Sequence, residues 1–226
     1  MTITRFAARF SLASVLLLAG CGGGGGSSNS PTPQQNLQSA RAPAQPMDVS
    51  STTLTATDSS GNTWSATFSS TAGGMAMFNG QTASTSMIAL TVSENGVVVS
   101  TEDDTAYYLT NPYSPLGVSG TTSGTAWNAT ITGYTPLPTT LTVGDSGPVE
   151  SATYTDAMAN NLGSITETYT VTADSPTAVF LNINAAGTVN GVQESETLTY
   201  SIGSDGTVQA LVQAQITLNG TTVTFN

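Results

Sequence analysis

The stretch VQALVQAQITL, residues 208–218, decides the fold class of this chain. Apolar side chains occupy every second position from Val208 to Leu218, and the positions between them are mostly glutamine and threonine, with Leu211 as the exception. Successive side chains of a β-strand point to opposite faces of the sheet. The alternation therefore predicts a strand with one face in a core and the other in water.

The same alternation recurs along the rest of the chain, at residues 64–68, 88–92 and 127–131. Short segments rich in glycine, asparagine and aspartate separate these runs and fit hairpin turns: DSSGN (58–62), ENG (94–96), SDG (204–206) and NG (219–220). We therefore expect an all-β, antiparallel fold of about ten to twelve strands, with almost no helix after residue 20. Both a β-sandwich and a strongly curved, barrel-like sheet fit this pattern.

Two segments of the chain resemble each other, which raises the question of an internal duplication. Residues 79–99 align with residues 190–209 after a one-residue gap, and in both an Asn-Gly pair leads into an alternating strand, a glycine turn and another strand. The alignment predicts two duplicated halves, 47–135 and 141–226, joined by the segment 133–148 in which prolines and glycines cluster. The alternative is that hairpins in threonine-rich sequence simply look alike.

The composition excludes several kinds of catalytic site. Among its 226 residues the chain has no histidine and no lysine, and one cysteine. A Ser-His-Asp or Cys-His arrangement cannot be built, Schiff-base chemistry has no lysine, and the usual Cys/His zinc site has no ligands. An enzyme made from this chain would depend on carboxylates, tyrosines, hydroxyl groups or a cofactor, and we expect no cofactor and no metal.

The charge of the chain restricts its partners. The formal net charge is −11, and the only cations are Arg5, Arg9 and Arg41. A strongly acidic protein repels the phosphate backbone of nucleic acids. DNA and RNA are therefore not expected as partners.

The first twenty residues have the layout of a secretory signal peptide. Two arginines, Arg5 and Arg9, precede an apolar stretch from Phe10 to Ala19, which ends in small residues. A stretch of ten residues is too short to cross a bilayer as a helix, which takes about 20. We therefore expect residues 1–20 to be removed on export.

Residues Leu18-Ala19-Gly20-Cys21 resemble the lipobox of bacterial lipoproteins. The resemblance implies that the Cys21 thiol carries a diacylglyceryl group, that cleavage falls before Cys21, and that the new amino group is acylated with a fatty acid such as palmitate. Gly22 follows where an aspartate would retain a Gram-negative lipoprotein in the inner membrane, so the resemblance implies an outer-membrane location, on either its periplasmic or its surface face. The alternative is an ordinary signal peptide with an incidental cysteine.

The segment after the cysteine is typical of a flexible tether. Residues 21–46 begin with Cys21 and continue with glycine, serine, proline and glutamine, which cannot bury a core. As a flexible coil this length spans about 25–30 Å. We expect it to separate a lipid anchor from a β-rich body, residues 47–226.

Three glutamates of the second half are candidates for a ligand or cation cleft. Glu167 shares strand parity with Ile165 and Tyr169, and Glu194 and Glu196 share parity with the apolar residues at 198, 200 and 202. If those apolar faces point inward, three carboxylates lie on the core side of one sheet, where they must be protonated, bind a cation or line a wet cavity. The alternative places them at strand ends with their carboxylates in water.

The first half of the chain contains two further candidate sites, an acidic run and a group of tyrosines. The acidic run STEDDTAYY (100–108) is expected to be a solvated turn, because the ligand spacing of a calcium loop is absent. Tyr107, Tyr108 and Tyr113 either form an aromatic platform for a sugar or peptide, or pack in the core and its loops.

The body loosely resembles uncharacterised proteobacterial lipoproteins through TAYYLTNPYSPLG (105–117) and LPTTLTVGDSG (137–147). This resemblance implies no activity. We expect a non-enzymatic lipoprotein with a binding or structural role in the envelope. One alternative is a carrier that holds an apolar ligand such as a lipid in a cupped sheet, and another is a carboxylate-based glycan hydrolase. The expected partner of the body is an envelope protein, a glycan or an apolar ligand.

Overall fold

The computed structural model describes residues 36–43, 51–58, 60–122, 125–218 and 221–226, and every regular element in them is a β-strand. The strands run in chain order: β1 (Ser39–Arg41), β2 (Thr52–Thr57), β3 (Thr63–Phe78), β4 (Gln81–Glu94), β5 (Val97–Thr110), β6 (Tyr113–Thr122), β7 (Thr125–Tyr134), β8 (Thr140–Thr142), β9 (Ser146–Asp156), β10 (Asn161–Ser175), β11 (Ala178–Val189), β12 (Val192–Gly203), β13 (Val208–Leu218) and β14 (Thr221–Phe225). The lipobox and Cys21, the start of the tether and residues 44–50 lie outside the described residues. Strand β1 falls within residues 21–46, so the expectation of a flexible tether is wrong for these residues, which pair with β8 and bury Ala40.

Twelve of these strands form one antiparallel sheet whose two edges approach each other. The order is β14-β13-β12-β11-β10-β9-β7-β6-β5-β4-β3-β2, so each strand lies beside the next in sequence except that β7 lies beside β9. At the seam between β2 and β14, Thr55 and Asn226 exchange backbone N–H···O hydrogen bonds of 2.9 and 2.8 Å. The all-β expectation is confirmed, and of its two forms the chain adopts the curved, nearly closed barrel-like sheet.

The sheet runs without interruption through the segment expected to join two halves. Strand β7 pairs with β9, from Trp127 opposite Asp156 to Tyr134 opposite Glu150, while the chain between them contributes β8 to a separate ribbon. Residues on both sides of the join thus share one inner face.

The turns bear on duplication in two different ways. Asp58 and Asp156 each end a strand and accept the same set of hydrogen bonds, from two following backbone N–H groups and from the side-chain amide of the asparagine four residues on. Asn-Gly turns follow one strand (79–80) and two strands (95–96) after Asp58, and an Asn-Gly turn (190–191) follows two strands after Asp156. Matching the aspartate turns therefore pairs residues 95–96 with 190–191, whereas the sequence alignment pairs residues 79–80 with 190–191, and the duplication stays a prediction.

A two-stranded ribbon, β1 with β8, covers one end of the barrel-like sheet. The backbone N–H of Leu37 donates to the carbonyl of Ser175 (2.6 Å), and that of Arg41 donates to the carbonyl of Ser204 (3.0 Å). Ser175 precedes the β10–β11 turn and Ser204 lies in the β12–β13 turn, which open at the same end of an antiparallel meander. Leu141 of β8 is fully buried in the core beneath the ribbon.

The inner face of the sheet follows the predicted alternation, with one informative departure. Trp64, Ala66 and Phe68 are buried as expected, and so are Ala214 and Ile216 of β13. Leu211, the exception in the sequence pattern, is also buried, whereas its neighbours Ala210 and Val212 are only partly buried. Two register shifts between β12 and β13 turn Leu211 inward. At the first, Ile202 pairs with Val208 but Ser201 pairs with Ala210. At the second, Tyr200 pairs with Leu211 but Thr199 pairs with Gln213. Each shift inserts one unpaired residue and exchanges the two faces of the strand.

Candidate functional site: a buried row of carboxylates

The inner face carries acidic side chains from both halves of the chain. Five carboxylates are buried, in strands β5, β9, β10 and β12: Glu102, Asp104, Glu150, Glu167 and Glu194. Glu196 is partly buried. The alternative that Glu167 and Glu194 lie at strand ends with their carboxylates in water is therefore wrong, because Glu167 is only 2% exposed in the middle of β10.

Strand register places three of these carboxylates in one row across the sheet. Glu150 of β9 lies directly opposite Glu167 of β10, Glu167 lies opposite Ala185 of β11, and Ala185 lies opposite Glu196 of β12. Tyr134 of β7 lies opposite Glu150 and extends the row. We refer to Glu150, Glu167 and Glu196 as the carboxylate row.

Glu194 lies one step away from the row on the same face of β12. Its cross-strand partners are Gly187 of β11 and Leu218 of β13, two residues along the sheet from Ala185 and Ile216, which flank Glu196. The three predicted glutamates therefore share one face, but Glu194 belongs to a neighbouring row.

Burial and mutual repulsion both act against ionisation of the row. Burial raises the pKa of Glu167 well above its ordinary value, and the charges of Glu150 and Glu196 raise it further. Burial also raises the pKa of Glu150. Two carboxyl groups on directly opposed residues share protons more readily than they ionise together, so the pair holds protons at neutral pH.

Four tyrosines surround the carboxylates. Burial, followed by the charges of the neighbouring glutamates, raises the pKa of Tyr113, Tyr154 and Tyr200, and Tyr134 is affected in the same way. The Tyr154 ring packs against Trp127 with 5.6 Å between ring centroids. These phenols remain protonated and can donate or accept hydrogen bonds at any physiological pH.

Several buried polar atoms of this face lack a hydrogen-bond partner among the described residues. They include both carboxylate oxygens of Glu167, the Oδ1 atom of Asp104 and the hydroxyl group of Tyr200, whose side chain is 0% exposed. Tyr200 lies four residues along β12 from Glu196, beyond Leu198 on the same face of the strand. Unsatisfied buried polar groups destabilise a fold, and in a native protein each calls for an explanation.

A second acidic pair lies on β5, where the sequence predicted a solvated turn. That prediction is wrong: residues 100–108 are part of β5, with Glu102 and Asp104 on the inner face and Asp103 exposed on the outer one. Burial, followed by the charge of Asp103, raises the pKa of Asp104 from 3.8 to about 8. Gly120 lies opposite Asp104 on β6, and a methyl group there would overlap the Asp104 carboxylate and the Trp127 indole.

The three tyrosines considered as a platform separate onto two faces. Tyr108 is buried, with its hydroxyl group 3.3 Å from that of Ser86, and its ring lies 5.7 Å from that of Tyr113. Tyr107, the next residue along β5, instead stacks on Phe78 at 4.6 Å and hydrogen-bonds Ser119. No single platform forms from Tyr107, Tyr108 and Tyr113, and packing accounts for them.

Glu150, Glu102 and Asp104 are the members of the site that the sequence reasoning did not identify. Glu150 shares strand parity with Ala152 and Tyr154, both buried, so the same argument that selected Glu167 could have found it. Asp104 shares parity with Ala106 and Tyr108 and was hidden by the two acidic neighbours beside it.

The chain matches no protein-family model, no curated protein and no solved structure. In the part of the chain that the structure describes, no helix has the length and apolar character to span a membrane. Nor do any three acidic, cysteine or histidine side chains in those residues come together in a way that could hold a metal ion.

Proposed function

We propose that this chain is a lipid-anchored lipoprotein of the cell envelope, whose barrel-like body binds a ligand without catalysing a reaction. The observation that supports a binding role is the carboxylate row on the inner face. Its central residue, Glu167, is buried and unpartnered among the described residues.

The energetics of burial explain why this observation points to function. A buried carboxylate is costly even when protonated, and apolar residues of the same volume on an inner face generally give a more stable protein. Local features that reduce stability without an evident structural gain concentrate at functional sites. The row therefore supports recognition of a ligand that supplies hydrogen-bond donors to the carboxylates.

The proposed anchor rests on the sequence. The lipobox-like residues 18–21, the single cysteine and the glycine-rich tether fit attachment of Cys21 to a membrane. Two or three acyl chains give lasting attachment where one chain gives only marginal binding. Gly22 supports the outer membrane as the location.

The chemistry of the inner face argues for a polar ligand rather than the two alternatives. An apolar ligand would meet the carboxylates of Glu150, Glu167 and Asp104 without satisfying them. A glycan hydrolase must admit both a polysaccharide and water to its carboxylates, and Glu167 is nearly inaccessible. Both alternatives are less well supported than a binding role.

Substitution of the lipobox cysteine tests the anchor. In a Gram-negative host grown with labelled palmitate, we expect the wild-type chain to be labelled and to sediment with membranes, whereas Cys21→Ser accumulates as unlabelled precursor of higher mass. A matched variant, Cys21→Ser with Ser28→Cys, restores a thiol outside the lipobox and should also stay unlabelled. Label on either variant would contradict the anchor.

Native mass spectrometry of the full chain, released from detergent, tests the binding role. We expect a co-purifying mass that is retained by Asp103→Asn, on the outer face, and lost from Glu167→Gln. A chain that carries no adduct from cell extract, and gains none when incubated with envelope metabolites, would remove the support for a binding role.

A further inference from the structure

The inner face holds several carboxyl groups and, among the described residues, no basic side chain. The chain has no lysine, and the one basic side chain in the described residues, Arg41, is exposed on the terminal ribbon. The Glu167 carboxylate and the Tyr200 hydroxyl group, which lack hydrogen-bond partners among the described residues, are buried on β10 and β12. A ligand that donates hydrogen bonds and carries positive charge would satisfy the carboxylates and give the hydroxyl group a donor to accept from.

The spacing of the carboxylate row indicates the shape of that ligand. Glu150 and Glu167 lie on adjacent strands, and Glu196 lies two strands beyond Glu167. Neighbouring strands are about 4.8 Å apart, so the three positions span about 14 Å across the sheet. A ligand that meets all three needs several cationic donors separated along an extended chain.

The residue between the carboxylates suits an aliphatic connection. Ala185, which separates Glu167 from Glu196, carries the smallest apolar side chain, and the flanking inner-face residues Ile165, Ile183 and Leu198 are apolar and buried. Methylene groups bridging two ammonium groups would lie against this surface. Exchange of a ligand at this depth requires the sheet to open, and the Thr55–Asn226 seam has fewer backbone hydrogen bonds than the ladders within the sheet.

We propose that the inner face binds a linear aliphatic polyamine, with its ammonium groups on Glu150, Glu167 and Glu196 and with the Tyr200 hydroxyl group as an additional acceptor. This proposal rests on the proposed binding function and names its ligand class. Ammonium groups favour the ionised form of a carboxyl group, so binding releases protons from the row.

Titration calorimetry with spermidine tests the proposal. The full chain in non-ionic detergent micelles, at low salt and pH 7.5, should give saturable binding whose heat changes with the ionisation enthalpy of the buffer because protons are released. Glu167→Gln should weaken binding about tenfold or more, since it removes a charge-assisted hydrogen bond. Tyr200→Phe should weaken binding a few-fold, and a neutral diol of similar length should not bind.

Asp103→Asn is the matched control, because it removes the same charge from the exposed face of the same acidic body. Its affinity for spermidine should equal that of the wild type, and all variants should show wild-type circular dichroism. Equal weakening in Asp103→Asn and Glu167→Gln would reveal non-specific attraction to an acidic protein and would overturn the proposal. If spermidine does not bind but native mass spectrometry shows a different adduct, the polyamine proposal is overturned and the binding function stands. If spermidine does not bind and no adduct is found, the result contradicts both the polyamine proposal and the binding function.

Discussion

At the scale of single residues, Glu167 combines the features that make this interior unusual. It lies at the centre of β10, directly opposite a second glutamate, and neither of its carboxylate oxygens has a hydrogen-bond partner among the described residues. A neutral amide of the same shape would avoid both the desolvation of a charge and the repulsion from Glu150.

We expect Glu167→Gln to stabilise the protein at pH 8. The folded state resists ionisation of Glu167 while the unfolded state ionises it freely near its ordinary pKa of 4.5, so stability is lost as the pH rises. The amide removes this loss and should raise the free energy of unfolding by about 1–3 kcal/mol in urea titrations at pH 8. At pH 4 the difference should vanish. A destabilised variant at pH 8 would show that the carboxylate has a favourable partner in the folded protein.

Gly120 is a residue whose missing side chain makes room for its neighbours. A methyl group at this position would overlap the Asp104 carboxylate and the Trp127 indole. Gly120→Ala should therefore destabilise the protein by about 1–3 kcal/mol in chemical denaturation, as overpacked cores do. Gly133→Ala, where nothing lies within 4 Å of the added carbon, is the control and should change stability by less than about 0.5 kcal/mol.

At the scale of elements, the β1–β8 ribbon determines whether one end of the interior is covered. The ribbon hydrogen-bonds to Ser175, the last residue of β10, and to Ser204 of the β12–β13 turn, and Leu141 packs in the core. The ribbon also brings residues from before the large sheet and from its middle together, so it connects distant parts of the chain at that end.

Leu141→Ala should destabilise the protein by about 2–5 kcal/mol, because Leu141 is fully buried. Thr140→Ala, on the exposed side of the same strand, should leave the free energy of unfolding within about 0.5 kcal/mol of the wild type. Equal effects of the two substitutions in urea denaturation would show that the ribbon does not pack on the core in solution.

At the scale of the whole molecule, two groups of carboxylates with pKa shifts of opposite sign determine how the stability of the protein depends on pH. Burial raises the pKa of Asp104 to about 8 and raises those of Glu150 and Glu167, whereas hydrogen bonds from turn residues lower the pKa of the exposed Asp58 and Asp156. The first group reduces stability as the pH rises above about 4, and the second reduces it as the pH falls below about 4. Stability should therefore be greatest in mildly acidic solution.

We expect the melting temperature to fall between pH 5 and pH 8.5, measured by circular dichroism at constant ionic strength. The sign follows from the raised pKa values: between the ordinary value of 3.8 and about 8 the folded protein holds a proton on Asp104 that the unfolded chain releases. The double variant Asp104→Asn/Glu167→Gln should show a much shallower decline. A melting temperature that rises over this interval would mean that these groups are ionised and paired in solution.

Most of the fold could be predicted because strand patterns are local. The alternation at residues 64–68 and the turns at 58–62, 94–96 and 204–206 were identified from neighbouring residues alone, and the structure confirms them. The site was predicted less completely. Glu167 and Glu194 were selected through their apolar neighbours, whereas Asp104 was assigned to a solvated turn because its neighbours are also acidic.

Local patterns in the chain were enough to predict an antiparallel, all-β body, since side-chain alternation and turn chemistry act over a few residues. The folded structure was needed to see that the sheet curves until Thr55 meets Asn226, that bulges turn Leu211 inward, and that Glu150 faces Glu167. These depend on strand register and sheet twist, which are fixed by packing between distant segments, and a shift of one residue would move a carboxylate to the opposite face.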